Sequence, residues 1–308
     1  MTGKPDKAKR DAAEAAVRSC YAGWAENYFA DYYASEAAYP PVHQKLVRDL
    51  VRDSGARTLL DAGCGPASML RSLAELDIAL YGFDLTPEMV AEARRVMAAR
   101  GAPKERIWQG SVADAGAFRA PCGPDRFDAA ICIGVLPHVP AALDETVIAN
   151  LRGAVRPGGL VVLEARNQLF ALFTLNRYSH EFFLGELVRA DLLRERAGSE
   201  TARLDEALAQ LAERFRTDLP PPRRGKAGEP GYDEVLSRTH NPLLLRERFA
   251  AAGFSEVQLL FYHFHCLPPM LEPGLPALFR RQSLAMEDPT DWRGYFMASA
   301  FLLAGRRA

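Results

Sequence analysis

The sequence predicts an α/β protein with a doubly wound sheet of parallel strands covered by helices on both faces. Three observations carry this. Short apolar runs alternate with helical patterns from Thr58 to Glu164. The first run ends in an acid and a glycine loop that opens a helix. The alternation is interrupted by a helical stretch and then resumes from Asn241 to the end of the chain.

Each element has a local reason. Residues 1–10 are charged and featureless, as a frayed end would be. From Asp11 to about Tyr33, Val17, Tyr21, Trp24, Tyr28 and Tyr32 form one helical stripe. Pro40-Pro41 breaks it, and a second amphipathic helix spans Val42 to Asp53. Thr58–Asp61 is the first strand, Ala67–Ala74 a helix and Ala79–Asp84 the second strand. Thr86 and Pro87 suit the cap and first position of a helix ending near Gly101. Arg106–Gln109 and Phe127–Ile133 read as strands three and four, the latter nearly continuous in apolar residues. Leu143, Val147, Leu151 and Val155 mark the next helix, and Pro157-Gly158-Gly159 turns the chain into strand five, Leu160–Glu164. Residues 167–240 read as helices plus a Pro- and Gly-rich loop, 219–231, expected to be mobile. Asn241-Pro242 caps a helix ending at Gly253; Glu256–His265 and Tyr295–Ala304 are the last two strands.

Composition sets outer limits. Lys and Arg total 38 against 39 Asp and Glu, a net charge of −1, and 48% of residues are hydrophobic. That balance supports a folded core and argues against a nucleic-acid binder, which carries a basic surplus. The 5 cysteines are scattered without C-x-x-C spacing, so neither a disulfide scaffold nor a zinc site of that type is expected. The first residues lack an apolar signal core, and no apolar run approaches a membrane span. The reading is a cytoplasmic protein without stable membrane insertion, and it leaves room for a homodimer.

The segment with chemistry in it is Asp61-Ala62-Gly63-Cys64-Gly65-Pro66-Ala67-Ser68. Its two glycines admit a tight turn and close approach of ligand atoms. Asp84, which ends the second strand, is placed to accept hydrogen bonds from both hydroxyls of a ribose. An ordinary βα turn is the rival reading. A dinucleotide turn wants a third glycine where Ser68 stands, and Asp61 would repel a pyrophosphate, which disfavours a nicotinamide oxidoreductase. Asp61 suits a ligand with a cationic end, such as the amino group and sulfonium of S-adenosylmethionine.

The set Asp61-x-Gly63-x-Gly65, Asp84, Gln109-Gly110-Ser111, Phe127-Asp128 through Gly134-Val135-Leu136-Pro137-His138, and Arg156-Pro157-Gly158-Gly159 resembles the ordered motifs of class I S-adenosylmethionine-dependent methyltransferases of the small-molecule type. The resemblance covers residues 56–166 and, more loosely, 241–308. It implies a seven-stranded, mostly parallel sheet with an antiparallel last strand. The chain then divides into an N-terminal helical cap (1–55), a cofactor-binding core (56–166), a helical lid insertion (167–240) and the C-terminal part of the sheet (241–308). It further implies that Gly63 and Gly65 border the methionine part, with Asp61 near its amino group. Asp84, followed by Leu85, would hold the ribose. Ser111 and Val112 would flank the adenine, and Ile133 and Gly134 would line the methionine end. Tyr21 and Tyr28 would close the site from an N-terminal helix. Two positions depart from the pattern: Ala67 stands where a glycine is often found, and Ser111 replaces an acid that often bonds the adenine amine.

Methyl transfer from a sulfonium is an in-line displacement, so the protein mainly aligns the reacting atoms and excludes water. Acceptor-side residues belong at the carboxyl ends of strands four to six or in the added helices. His138 follows strand four, and Glu164 ends strand five. Val257, Leu259, Phe261, His263 and His265 are expected on one face of strand six, which brings both histidines to the open end. These four, His138, Glu164, His263 and His265, are the candidate catalytic residues; no metal is signalled by their spacing. Asn167, Arg177 and Tyr178 are candidates for holding substrate. The aromatic run 168–183 fits a lid, ordinary helix packing or a surface element. The acceptor is read as a small molecule attacked at O, N or C. A protein or RNA methyltransferase, and a non-catalytic S-adenosylmethionine-binding protein, stay open.

Overall fold

The computed structural model describes residues 7–24, 29, 33, 41–217 and 235–308. Tyr28 and Tyr32 lie outside these, as does the segment expected to form a mobile loop. Helix α1 spans Lys7–Ala22, starting earlier and stopping sooner than the stripe suggests. Helix α2 occupies Val42–Asp53, as its apolar spacing predicts. Then come β1 (Thr58–Ala62), α3 (Ser68–Leu73), β2 (Ala79–Asp84), α4 (Pro87–Ala98), β3 (Ile107–Gln109), β4 (Phe127–Cys132), α5 (Asp144–Ala154) and β5 (Val155–Arg166). The insertion carries short helices: α6 (Ala171–Thr174), α7 (Arg177–Phe182), α8 (Ala190–Ala197) and α9 (Thr201–Ala212). Helix α10 (Pro242–Ala251), β6 (Phe254–Phe264), α11 (Pro276–Ala285), α12 (Gly294–Met297) and β7 (Ala298–Arg307) complete the chain.

The seven strands form one sheet in the order β3-β2-β1-β4-β5-β7-β6. The pairs from β3 to β5 are parallel, and β7 runs antiparallel to both neighbours. Alternate residues feed two apolar layers. Leu60, Phe83, Ala130 and Leu163 pack on one side with Val147 and Leu151 of α5 and Phe249 of α10. Leu59, Leu80, Ile131 and Val162 pack on the other with Val47 and Val51 of α2.

Beyond small shifts at element ends, three differences from the sequence reading bear on the site. Pro157-Gly158-Gly159 lies inside β5 rather than before it. The register between β4 and β5 shifts there, between Phe127 and Ala129, and Gly158 supplies a φ of +75°. Tyr295–Met297 is a helical turn, so β7 begins at Ala298. The side-chain amide of Asn167 holds that turn by donating to the carbonyls of Gly294, Tyr295 and Ala298 at 2.8–3.1 Å. Third, β6 does not alternate to its end. His263 has φ +58°, and Phe264 takes the inward place beside Phe261 that the alternation assigns to His263. The two histidines therefore do not share the face of Phe261.

Candidate active site

In a sheet of this kind a ligand crevice forms beyond the carboxyl ends of the strands, where the strand order reverses. Here that point lies between β1 and β4. A cavity opens there, enclosing about 830 Å³ of empty space including its mouth, within the range of small-molecule sites.

Its floor is the loop between β1 and α3. The backbone amides of Gly63 and Cys64 both donate to the Phe83 carbonyl, at 2.8 and 2.9 Å. Gly63 needs its φ of +86°, and a Cβ there would lie 2.3 Å from a methyl of Val135. Ala67 stands at φ +64°, in the left-handed region that glycine occupies without cost. Ala67 therefore holds, against strain, a conformation that suits glycine.

Asp84 ties this loop to the next one. Its carboxylate accepts from the Gly65 and Thr86 amides, each at 2.9 Å, and it lines the cavity. Leu85, Ser111, Val112, Ile133 and Gly134 line the same cavity, with Gly63 and Gly65. Asp61 does not. It lies beneath, only 2% exposed. Burial, and then the nearby Asp84 charge, push its carboxyl up to about 8. Burial likewise raises Asp84, against hydrogen bonds that favour its charged form.

The roof is α1. Arg10, Glu14, Val17 and Tyr21 follow one helical stripe and all face the cavity. Glu14 is the residue that sequence reasoning missed. Its Oε1 accepts from the Ser111 hydroxyl at 2.7 Å and from Arg10 at 2.9 Å. The signal was available: Glu14 and Arg10 continue the Tyr21–Val17 stripe toward the start of the helix.

His138 lines the cavity wall. Its Nδ1 lies 2.7 Å from the Leu236 carbonyl, which can only accept, so Nδ1 carries the proton. Burial lowers its pKa to about 4, which keeps the ring neutral. Its Nε2 is then an acceptor, 3.0 Å from the Tyr21 hydroxyl.

Other candidates are placed elsewhere. Glu164 lies two residues before the end of β5, behind the cavity wall. It accepts from the Gly134 amide, and from the Tyr262 hydroxyl at 2.5 Å. His263 packs edge-on against Tyr262 and His43, with centroids 4.8 and 6.1 Å apart. His265 sits between Phe170 and Phe279, at 4.7 and 5.6 Å, and burial lowers its pKa to about 4. Neither histidine lines the cavity. Asn167 is buried and its amide is spent on the α12 turn, while its Oδ1 caps Leu169. Arg177 donates to the Tyr178 hydroxyl at 3.0 Å on α7, away from the cavity lining. Among the described residues, no group of three or more His, Cys, Asp or Glu could hold a metal ion.

The span from β1 into β5 matches, over residues 60–161, the model of a family described as a methyltransferase domain. Among curated relatives, a ubiquinone biosynthesis O-methyltransferase from Xanthomonas axonopodis pv. citri (strain 306) is 34% identical over 139 residues, 45% of this chain and 54% of that protein. A namesake from Haemophilus ducreyi (strain 35000HP / ATCC 700724) is 26% identical over 128 residues, 42% and 53%. The chain thus spans about half the length of the curated relatives it matches. Among solved structures, magnesium protoporphyrin IX methyltransferase from Synechocystis PCC 6803 with bound SAH has a TM-score of 0.51 at 15% identity, covering 96% of this chain and all of that one. A DhpI–SAH complex has a TM-score of 0.51 at 17% identity, covering 97% and 98%. The fold is that of class I S-adenosylmethionine-dependent methyltransferases. The matched span supplies the floor and walls of the cavity, and α1, outside it, supplies its roof. No helix among the described residues is long and apolar enough to cross a membrane.

Proposed function

We propose that the protein is an S-adenosylmethionine-dependent methyltransferase acting on a small molecule. The observation that carries this is the cavity at the strand-order reversal, floored by Gly63 and Gly65 and flanked by Asp84. The residues fit the cofactor on their own chemistry. Gly65 lines the cavity, and even an added Cβ there would meet nothing within 4 Å, so ligand atoms can come close to the loop. Asp61 and Asp84, both raised by burial, gain most from a cationic, hydroxyl-bearing ligand. Bound S-adenosylmethionine would supply an electrophilic methyl on a sulfonium sulfur.

In this reading Asp84 holds the ribose hydroxyls, and Asp61 balances positive charge at the methionine end, where Ile133 and Gly134 form the wall. Ser111 and Val112 flank the adenine. α1 excludes water from above. Tyr21, whose hydroxyl is oriented by neutral His138, is the side chain best placed to position an acceptor. Glu164 fixes the Gly134 amide and acts through it. His263, His265, Arg177 and Tyr178 are left for acceptor contacts outside this cavity. The relatives named as O-methyltransferases make an oxygen acceptor the first to test. The scattered cysteines suit a reducing, cytoplasmic setting.

Calorimetric titration of the purified chain with S-adenosylmethionine, S-adenosylhomocysteine and NAD tests the reading. The expected outcome is micromolar binding of the first two and none of the third. Binding of NAD alone would overturn it.

A further inference from the structure

We propose that Glu14 reads the exocyclic amine of the adenine ring, so that α1 rather than the methyltransferase domain sets nucleobase specificity. The inference rests on the cofactor reading above and adds a residue to it. Ser111 stands at the adenine end, but its hydroxyl is committed. It gives its proton to Glu14 at 2.7 Å and accepts from the Ala113 amide at 3.1 Å. The strong acceptor at this end of the cavity is therefore the Glu14 carboxylate. Its Oε1 takes Ser111 and Arg10, and no donor among the described residues reaches Oε2. The side chain is 17% exposed and lines the cavity.

A carboxylate only accepts, and the 6-amino group of adenine only donates, so the two match. A 6-oxo purine would set its carbonyl lone pairs against the carboxylate. Arg10 is a positioning residue: its guanidinium, one helical turn before Glu14, holds the carboxylate in place. An acceptor supplied by a separate helix has a consequence. α1 must be seated over the cavity before the base is recognised, so base recognition and closure of the roof are one event.

The test is calorimetric binding of S-adenosylhomocysteine and its 6-oxo counterpart, S-inosylhomocysteine, to the full chain. Loss of a charged hydrogen bond predicts that the wild type favours the adenosyl compound by about 10- to 100-fold. In Glu14→Gln the amide can turn its NH2 toward a 6-oxo group, and the ratio should fall toward one. Glu14→Ala should weaken adenosyl binding about tenfold and leave inosyl binding nearly as it was. Ser111→Ala keeps the carboxylate and should keep the preference. An unchanged ratio in Glu14→Gln, with the adenosyl compound still bound, overturns the inference alone. A preference lost in Ser111→Ala but kept in Glu14→Gln assigns the role to Ser111 and overturns it too. Failure of the wild type to bind either compound overturns the cofactor reading together with this one.

Discussion

Asp61 should make the stability of the protein fall as pH rises through neutrality. Its carboxyl is buried beneath the glycine loop and stands at about 8 instead of the ordinary 3.8. Between those values the folded chain keeps a proton that the unfolded chain has released, so raising the pH favours unfolding. The effect begins above the unfolded value, near pH 4, and is complete once the pH passes the folded value, near 8. The difference corresponds to about 6 kcal/mol between the charged and neutral forms in the folded chain. Asp61→Asn keeps the shape and removes the charge. Melting curves of both proteins from pH 4 to pH 9 isolate the effect, because other titrating groups are common to both. The variant should gain steadily on the wild type, by on the order of 10 °C at pH 9. Parallel curves across that range would refute the reasoning. The same proton bears on ligand binding. Positive charge near Asp61 favours the carboxylate, so S-adenosylmethionine binding at pH 7 should be accompanied by proton release. Titrations in buffers of contrasting ionisation enthalpy should detect that release and show its loss in the variant.

Three further outcomes follow from the geometry. Asp84→Ala removes the acceptor of the Gly65 and Thr86 amides and should weaken S-adenosylhomocysteine binding by about 1–3 kcal/mol in calorimetry; unchanged affinity would take the ribose away from Asp84. Gly63→Ala adds a methyl 2.3 Å from Val135 at a positive φ and should lower stability by about 1–3 kcal/mol in denaturant titration. Pairing it with Val135→Ala should recover part of that loss, and an additive double variant would rule out the contact as its cause. Asn167→Ala removes the side-chain donor to three backbone carbonyls at the α12 turn and should cost about 1–3 kcal/mol of stability while leaving cofactor affinity unchanged. A variant with normal stability but weakened ligand binding would return Asn167 to the substrate side.

The fold was legible where a single local rule decides. β1, β2 and β4 are apolar runs bounded by turn residues, and α2 is fixed by its stripe, so their positions follow from short windows. The floor of the cavity was equally legible, because glycines and an acid at a strand end have few other reasons to sit together. What escaped depends on contacts distant in sequence. The register shift in β5 needs the partner strand. The positive φ at His263 that brings Phe264 to the side of Phe261 breaks a period that the residues themselves keep. Asn167 reads as a polar group near a cleft until the carbonyls of α12, more than a hundred residues on, are seen to claim it. Glu14 and Ser111 stand 97 residues apart, and nothing in either neighbourhood shows that their side chains meet.

The same long-range dependence joins the insertion to the cavity. Residues 236–240 leave the insertion and pass beside the loop after β4. There the Leu236 carbonyl fixes His138, and the Arg238 amide donates to the Pro137 carbonyl at 2.8 Å. The anchor of this strap is Asp144, at the start of α5 and 2% exposed. Arg238 grips it with two hydrogen bonds of 2.9 and 2.7 Å. Burial opposes the charge on Asp144, but its polar contacts with His240 and Arg238, two of them hydrogen bonds from the guanidinium, prevail and hold its carboxyl below the ordinary value. The pair therefore stabilises the fold above the ordinary carboxylate range, and that contribution is lost as pH falls through the folded value. Arg238→Ala leaves a buried carboxylate without its main partner and should cost about 3–5 kcal/mol. Asp144→Ala leaves the guanidinium without its carboxylate, with the Val139 carbonyl and His240 as its remaining partners. If the two act as one anchor, the double variant costs less than the sum, by more than about 0.5 kcal/mol in a denaturant cycle. Strict additivity would mean that strap and helix are held independently. In that case the tautomer of His138, and with it the orientation of Tyr21, would not depend on Asp144.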